Sequence, residues 1–207
     1  PLNVLTVLEN GPIKSLSELK GKKIGFSVSG FEEALLGKML ASVGLNKDDV
    51  TLINVNFALS QSLLAEQVDA TIGGFRNFEL TQIELEGGKA KAFHPEDFGV
   101  PLYDELIFIA QPSRLNEPRF KAFLAAVEKG ANYLTNNPEA SWLLYTKAYP
   151  NLDDELNKRA FSDTIPRFAK RPAALDKARY KRFADFMLQA GLLKTTPEIS
   201  NIAIELD

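Results

Sequence analysis

The stretch Lys23-Ile24-Gly25-Phe26-Ser27-Val28, followed by Ser29-Gly30 and then residues 31–43, decides the fold. Its first six residues form a short, mostly apolar run bounded by turn residues, the pattern of a buried strand. From Phe31 the period changes. Phe31, Ala34, Leu35, Met39 and Val43 recur at helical spacing, and Gly44 marks the stop. A strand that passes through a Ser-Gly turn into a helix is one βα unit. The pattern repeats in residues 51–55 followed by a helix over 59–67, and again in 70–74 followed by a helix over 76–86. A short strand at 90–93 closes the series. Strands alternating with helices predict an α/β lobe with a parallel sheet and right-handed crossovers, occupying residues 15–100.

Outside that lobe the signals thin out. Residues 2–8 read as a buried strand, and residues 15–21 as one helical turn with Ser15 as cap and Gly21 as stop. After an irregular stretch, Glu105-Leu106-Ile107-Phe108-Ile109-Ala110 reads as a further strand. The remainder is helical. Residues 119–135 carry Phe120, Phe123, Leu124, Val127, Ala131 and Leu134 on one side. A second helix starts at Asn137-Pro138, with Asn137 as cap and Pro138 where its missing N–H is harmless. Further helices are expected over 153–163 and 173–190. Strands 2–8 and 105–110 flank the βα series, which predicts two lobes joined by a two-strand hinge. Residues 1–14 and 101–207 then form a partial first lobe, expected to lack its N-terminal half, and 15–100 the second lobe.

Composition narrows the chemistry. The 207 residues are 45% hydrophobic and 25% charged, the balance of a globular chain, and the formal charge of -3 provides no field for a polyanion. Nucleic acid is therefore not expected as a partner. With no Cys there is no thiolate metal site and no Cys nucleophile, and with one His no two-histidine zinc motif. Apolar runs such as Leu106–Ala110 fall far short of the roughly 20 residues needed to span a bilayer.

The places to look are the turns beyond the carboxyl ends of the strands, where parallel sheets bind ligands. These are Ser27-Val28-Ser29-Gly30, Asn54-Val55-Asn56-Phe57-Ala58-Leu59-Ser60 and Gly73-Gly74-Phe75-Arg76-Asn77-Phe78-Glu79. Glycines allow close backbone approach, amides and hydroxyls direct hydrogen bonds, and Phe57 or Phe75 offers a flat face to a planar ring. Taken singly, Ser29 and Ser60 read equally as helix caps and the two Phe as core. No phosphate-loop or dinucleotide fingerprint is present. His94 reads as a loop residue, Glu32-Glu33 and Asp48-Asp49 as partners of helix dipoles, and the basic stretch 158–182 as a solvated helical face. Tyr103-Asp104-Glu105 stands where the chain would re-enter the first lobe and face a cleft. Glu105 is the sharpest single candidate, because an aminopyrimidine-like edge could supply the N–H donors a buried carboxylate needs, the other reading being an exposed strand-end residue.

At these residues the chain resembles the periplasmic pyrimidine-precursor binding proteins of thiamine-linked ABC importers, which are related to the eukaryotic thiamine-pyrimidine synthases. Ile13-Lys14-Ser15-Leu16-Ser17-Glu18-Leu19-Lys20-Gly21-Lys22-Lys23-Ile24-Gly25 is similar to their hinge-to-strand segment, which other solute-binding proteins share. More specific are Val55-Asn56-Phe57, Val68 through Glu79, Tyr103-Asp104-Glu105-Leu106, Pro166-Arg167-Phe168 and Arg171-Pro172-Ala173-Ala174-Leu175. The resemblance implies a type II periplasmic-binding-protein-like α/β fold with one parallel-sheet lobe and a partial second lobe. It implies capture of a hydroxymethyl or formylaminopyrimidine in an interlobe cleft for delivery to a membrane ABC permease, in the periplasm, with no reaction and no cofactor. Its ligand contacts carry over to Glu105, Tyr103, Asn77, Phe75, Phe57, Ser27 and Ser29. The resemblance further leads us to expect that the family's N-terminal segment, which contributes a Trp and an Asn to the cleft, is not among these residues. The alternatives are a synthase-type enzyme, whose Cys-rich motif this chain does not carry, or a binder of another small planar solute.

Overall fold

The computed structural model describes residues 1–206. It divides into two compact units, the first holding Pro1–Glu105 with Ala178–Thr196, the second Leu106–Lys177 with the chain from Pro197 onward.

The first unit contains one five-stranded sheet: β1 (Asn3–Leu8), β2 (Lys23–Phe26), β3 (Thr51–Asn54), β4 (Ala70–Phe75) and β5 (Ala90–Phe93) in the order β3-β2-β4-β1-β5. The expected βα series is there, with α1 (Phe31–Ala41), α2 (Leu59–Leu64) and α3 (Glu79–Leu85) following β2, β3 and β4. Helices α2 and α3 are shorter than the periodicity predicted, the latter because residues 76–78 form a turn instead of a first helical turn. Strands β2, β3 and β4 are parallel.

Strand β1 corrects the sequence reading. It does not belong to a separate sheet but runs antiparallel between β4 and β5, so the sheet is mixed. Its position explains its composition. Val4, Leu5, Thr6 and Val7 are all buried, as a strand covered on both faces requires. Between Val4 and Leu5 the register with β4 shifts by a bulge that leaves Gly73 as the extra residue, at φ +112°. The amide of Gly73, outside the ladder, donates to Asn3 Oδ1 at 3.2 Å. Helix α1 supplies one cover of the sheet: Leu35, Leu36, Met39 and Leu40 are buried in one cluster with Leu5, Ile24 and Ile72. Ile13, Leu16 and Leu19 from the connection between β1 and β2 join it. Helix α7 (Lys177–Gln189), in this unit from Ala178 onward, adds Phe183 and Phe186.

The second unit is helical, with α4 (Pro118–Asn136), α5 (Pro138–Ala148) and α6 (Glu155–Thr164). Pro138 takes the first position of α5 as expected, but Asn137 does not cap it through its side chain, whose amide donates to Tyr133 O of the preceding helix at 3.0 Å. Trp142, Tyr145 and Phe161 form an aromatic cluster, with Trp142 and Phe161 edge to face at 5.3 Å. The expected strand over 105–110 is absent. These residues are irregular backbone, and Leu106, Ile107, Phe108 and Ile109 are exposed, Ile109 to 88%. Alternation and apolarity make a segment competent for a strand, but a ladder needs a partner, and residues 105–110 pair with none of the described strands. No described helix is long and apolar enough to cross a membrane.

Candidate functional site

The carboxyl ends of β2, β3 and β4 and the start of β1 lie at one edge of the sheet, as the pairings of Phe26 with Asn54 and of Asn3 with Phe75 show. Every sequence-derived candidate lies in the first unit, and most are on the turns at this edge.

After β2, Ser27 is half-buried and its hydroxyl donates to Glu32 Oε1 at 2.7 Å. Its oxygen lone pairs remain available to accept. Ser29 is exposed and makes no cap: the cap position of α1 is Gly30, at φ +83°. After β3, Asn56 takes a positive φ of 52°, stabilised by its amide donating to Asn54 Oδ1 at 2.8 Å. That turn lifts Phe57 out of the fold, leaving it 83% exposed, so it is not core. Ser60 does not cap either, since it is buried within α2. After β4, Phe75 is half-buried and its amide donates to Glu79 Oε2 at 2.6 Å, while Asn77 is buried. Burial outweighs that hydrogen bond and pushes the Glu79 carboxyl above its ordinary pKa.

Glu105 joins this edge by a route the sequence does not show. Its Oε2 accepts the amides of Leu2 at 2.7 Å and Asn3 at 3.0 Å, and its Oε1 accepts the Tyr103 hydroxyl at 3.1 Å. The carboxylate thus ties the entry to β1, and Oε1 keeps room for a further donor. Tyr103 is buried, its ring stacked on Phe183 at 4.5 Å and set edge-on to Phe31 at 5.6 Å. Burial, and then the Glu105 charge, push its hydroxyl far above the ordinary tyrosine range, so it stays protonated and donates.

Several residues of this edge escaped the sequence reading. Arg76 forms a two-point ion pair with Glu96, at 2.7 and 2.9 Å, and its amide donates to Leu2 O at 2.8 Å. Asn3 binds Gly73, as above. Glu32, read only as a dipole partner, is buried with its carboxylate turned back onto the turn that precedes its own helix, accepting Ser27 N at 2.7 Å and Val28 N at 3.1 Å. A glutamate four to six positions beyond a strand end is the signal that could have found both it and Glu79. His94 adds only a minor electrostatic pull on Glu96, and no group of three or more potential metal ligands occurs among the described residues.

Ring faces, acceptor oxygens and a tied carboxylate thus lie on the turns at the strand ends of an α/β lobe. The comparisons agree in fold. The chain aligns over 100% of its length with 67% of the periplasmic aliphatic sulphonate binding protein of Escherichia coli, at a TM-score of 0.67 and 18% identity. The fold is type II periplasmic-binding-protein-like, as the sequence led us to expect. Residues 1–141 match the family described as NMT1/THI5 like, and the chain belongs to that family. It is 47% identical over its whole length to a putative thiamine biosynthesis protein of Haemophilus influenzae, of which it spans 66%. Over 67% of its length it is 31% identical to a formylaminopyrimidine-binding protein of Halalkalibacterium halodurans, of which it spans 43%.

Proposed function

We propose that this chain belongs to the substrate-binding component of an ABC importer, working outside the cytoplasmic membrane, that captures a thiamine pyrimidine precursor and hands it to a membrane permease. The observation that carries the reading is the pairing of Glu105 with Tyr103. The Tyr103 hydroxyl and two backbone amides hold the carboxylate in place while Oε1 keeps capacity for the exocyclic amine of an aminopyrimidine. Phe57, exposed on its turn, supplies a face for the ring, and Phe75, Asn77, Ser27 and Ser29 complete the ligand set. Binding rather than reaction is favoured because the Cys-rich motif of the synthase alternative cannot be built from a chain with no Cys. The relative named as a formylaminopyrimidine-binding protein supports the ligand class.

The test is a calorimetric titration of the protein with hydroxymethyl and formylaminomethyl aminopyrimidines. Saturable binding that Glu105→Gln weakens by about tenfold or more, the worth of a hydrogen bond to a charged group, supports the reading. Absence of binding to either pyrimidine removes the ligand, and turnover with pyridoxal phosphate and iron would replace it with the synthase reading.

A further inference from the structure

In open α/β sheets the turns after the strands usually point unpaired N–H groups at the ligand, which suits anions. Here most of those donors are already taken. Ser27 N, Val28 N and the Ser27 hydroxyl all go to the Glu32 carboxylate, at 2.7, 3.1 and 2.7 Å. Gly30 N goes to Glu33 Oε1 at 3.3 Å, Phe75 N to Glu79 Oε2, and Gly73 N to Asn3 Oδ1. The Glu32 carboxylate is enclosed, the residue being 3% exposed. Its space exists because position 73 is glycine: a Cβ there would fall well inside contact distance of the Glu32 carboxyl group. The bulge in β4 and the carboxylate above it are therefore one built feature.

We propose that Glu32 is a specificity-determining residue, a resident anion in the turn between β2 and α1 that occupies the place an anionic solute would take. With the amides of Ser27, Val28 and Gly30 consumed and a negative charge behind it, the turn leaves a ligand the Ser27 Oγ acceptor and few donors, the exposed Ser29 among them. Solutes that donate N–H groups are admitted, whereas sulfonates, sulfate and phosphate monoesters meet like charge and few free donors. The inference rests on the proposed function for where the ligand binds, but not on which uncharged ring it is.

The experiment titrates the wild-type protein and Glu32→Gln with methanesulfonate, inorganic sulfate and uncharged 4-amino-5-hydroxymethyl-2-methylpyrimidine. Wild type should show no saturable binding of either anion. Glu32→Gln keeps the shape and one acceptor but removes the charge, and its affinity for sulfate or methanesulfonate should rise by about tenfold or more, the scale of losing one like charge a few ångströms away. Saturable anion binding by wild type overturns the proposal, and it does so even if the variant fails to fold. Equal anion affinity in the folded variant and wild type overturns it as well. The pyrimidine arm is read separately: a wild type that binds neither anion nor pyrimidine, with a variant that gains anions, leaves Glu32 in its role and removes the pyrimidine.

Discussion

Arg76 holds Glu96 through two parallel N–H···O bonds of 2.7 and 2.9 Å, with the arginine side chain only 10% exposed. The same guanidinium donates from Nη2 to Asn3 O at 3.3 Å, so one side chain links the turn after β4, the segment after β5 and the start of β1. Removing one partner of such a pair strands the other charge. Arg76→Met should cost about 3–5 kcal/mol, read as a lower denaturation midpoint at unchanged slope. Glu96→Gln, which keeps an acceptor oxygen, should cost less. A loss for Arg76→Met below about 1 kcal/mol, the range of exposed pairs, would show that the pair is effectively solvated.

The same pair contributes to the acid limb of stability. Burial opposes ionisation of Glu96, but the Arg76 hydrogen bonds and charge outweigh it and hold the carboxyl below its ordinary pKa of 4.5. A folded pKa below the unfolded one contributes stability that is present above about pH 4.5 and is lost as pH falls through the folded value. Glu79 has the opposite sign. Burial raises its pKa, so the folded state binds the proton more readily, and its contribution is lost as pH rises from about 4.5 through the folded value. Wild-type stability should therefore fall below pH 4.5, less steeply in Glu96→Gln, while Glu79→Gln should flatten the decline on the other side. Equilibrium unfolding at stepped pH reads both, and an acid limb unchanged in Glu96→Gln would assign it to other carboxylates.

Gly73 separates backbone strain from steric conflict. In Gly73→Ala the new methyl meets both an unfavourable φ of +112° and the Glu32 carboxyl group. Gly44, at φ +77°, has nothing near its missing Cβ. Gly44→Ala should then cost about 1–2 kcal/mol from strain alone, and Gly73→Ala should exceed it by a further 1–3 kcal/mol or so for overpacking. Glu32→Ala added to Gly73→Ala should recover part of that excess. Strict additivity of the two substitutions would mean that the methyl and the carboxylate do not meet.

Phe57 tests the ligand face without endangering the fold. Because its ring is almost wholly exposed, Phe57→Ala should change stability by no more than about 0.5 kcal/mol. A stacked ring is worth about 0.5–1.5 kcal/mol beyond its area, so aminopyrimidine affinity should drop by up to about tenfold. Unchanged affinity in a fully stable variant would remove Phe57 from the site.

What the sequence revealed and what it concealed divide along the reach of the interactions. The βα units were legible because a change of period from strand to helix is written within a dozen residues, as at Lys23 to Val43. The placement of β1 was not, since its neighbours β4 and β5 lie more than sixty residues away and its apolar run fits any buried strand. Leu106–Ala110 shows the converse, a strand composition without a ladder. In the site, Phe57 stood out by residue type and turn. The Glu32 turn-back, the Arg76–Glu96 pair and the Asn3 bond to the bulge depend on which loops meet, and single-residue chemistry does not encode that.

The second unit should be the first part of the molecule to open. Its buried side chains are few and mostly small or polar: Ala131, Ser141, Thr146, Ala160 and Ile199. The first unit, by contrast, encloses Leu5, Ile24, Leu35, Leu36, Met39 and Ile72 completely. Local opening free energy follows buried apolar contact, so amides of α4, α5 and α6 should exchange with solvent at least about tenfold faster than those of β1 and β4. Residues 106–111, irregular and exposed, should exchange fastest of all. Peptide-resolved hydrogen exchange at neutral pH measures this order directly. Equal protection of α4–α6 and the central strands would mean that the two units unfold together, with stability drawn from interactions other than each unit's own core.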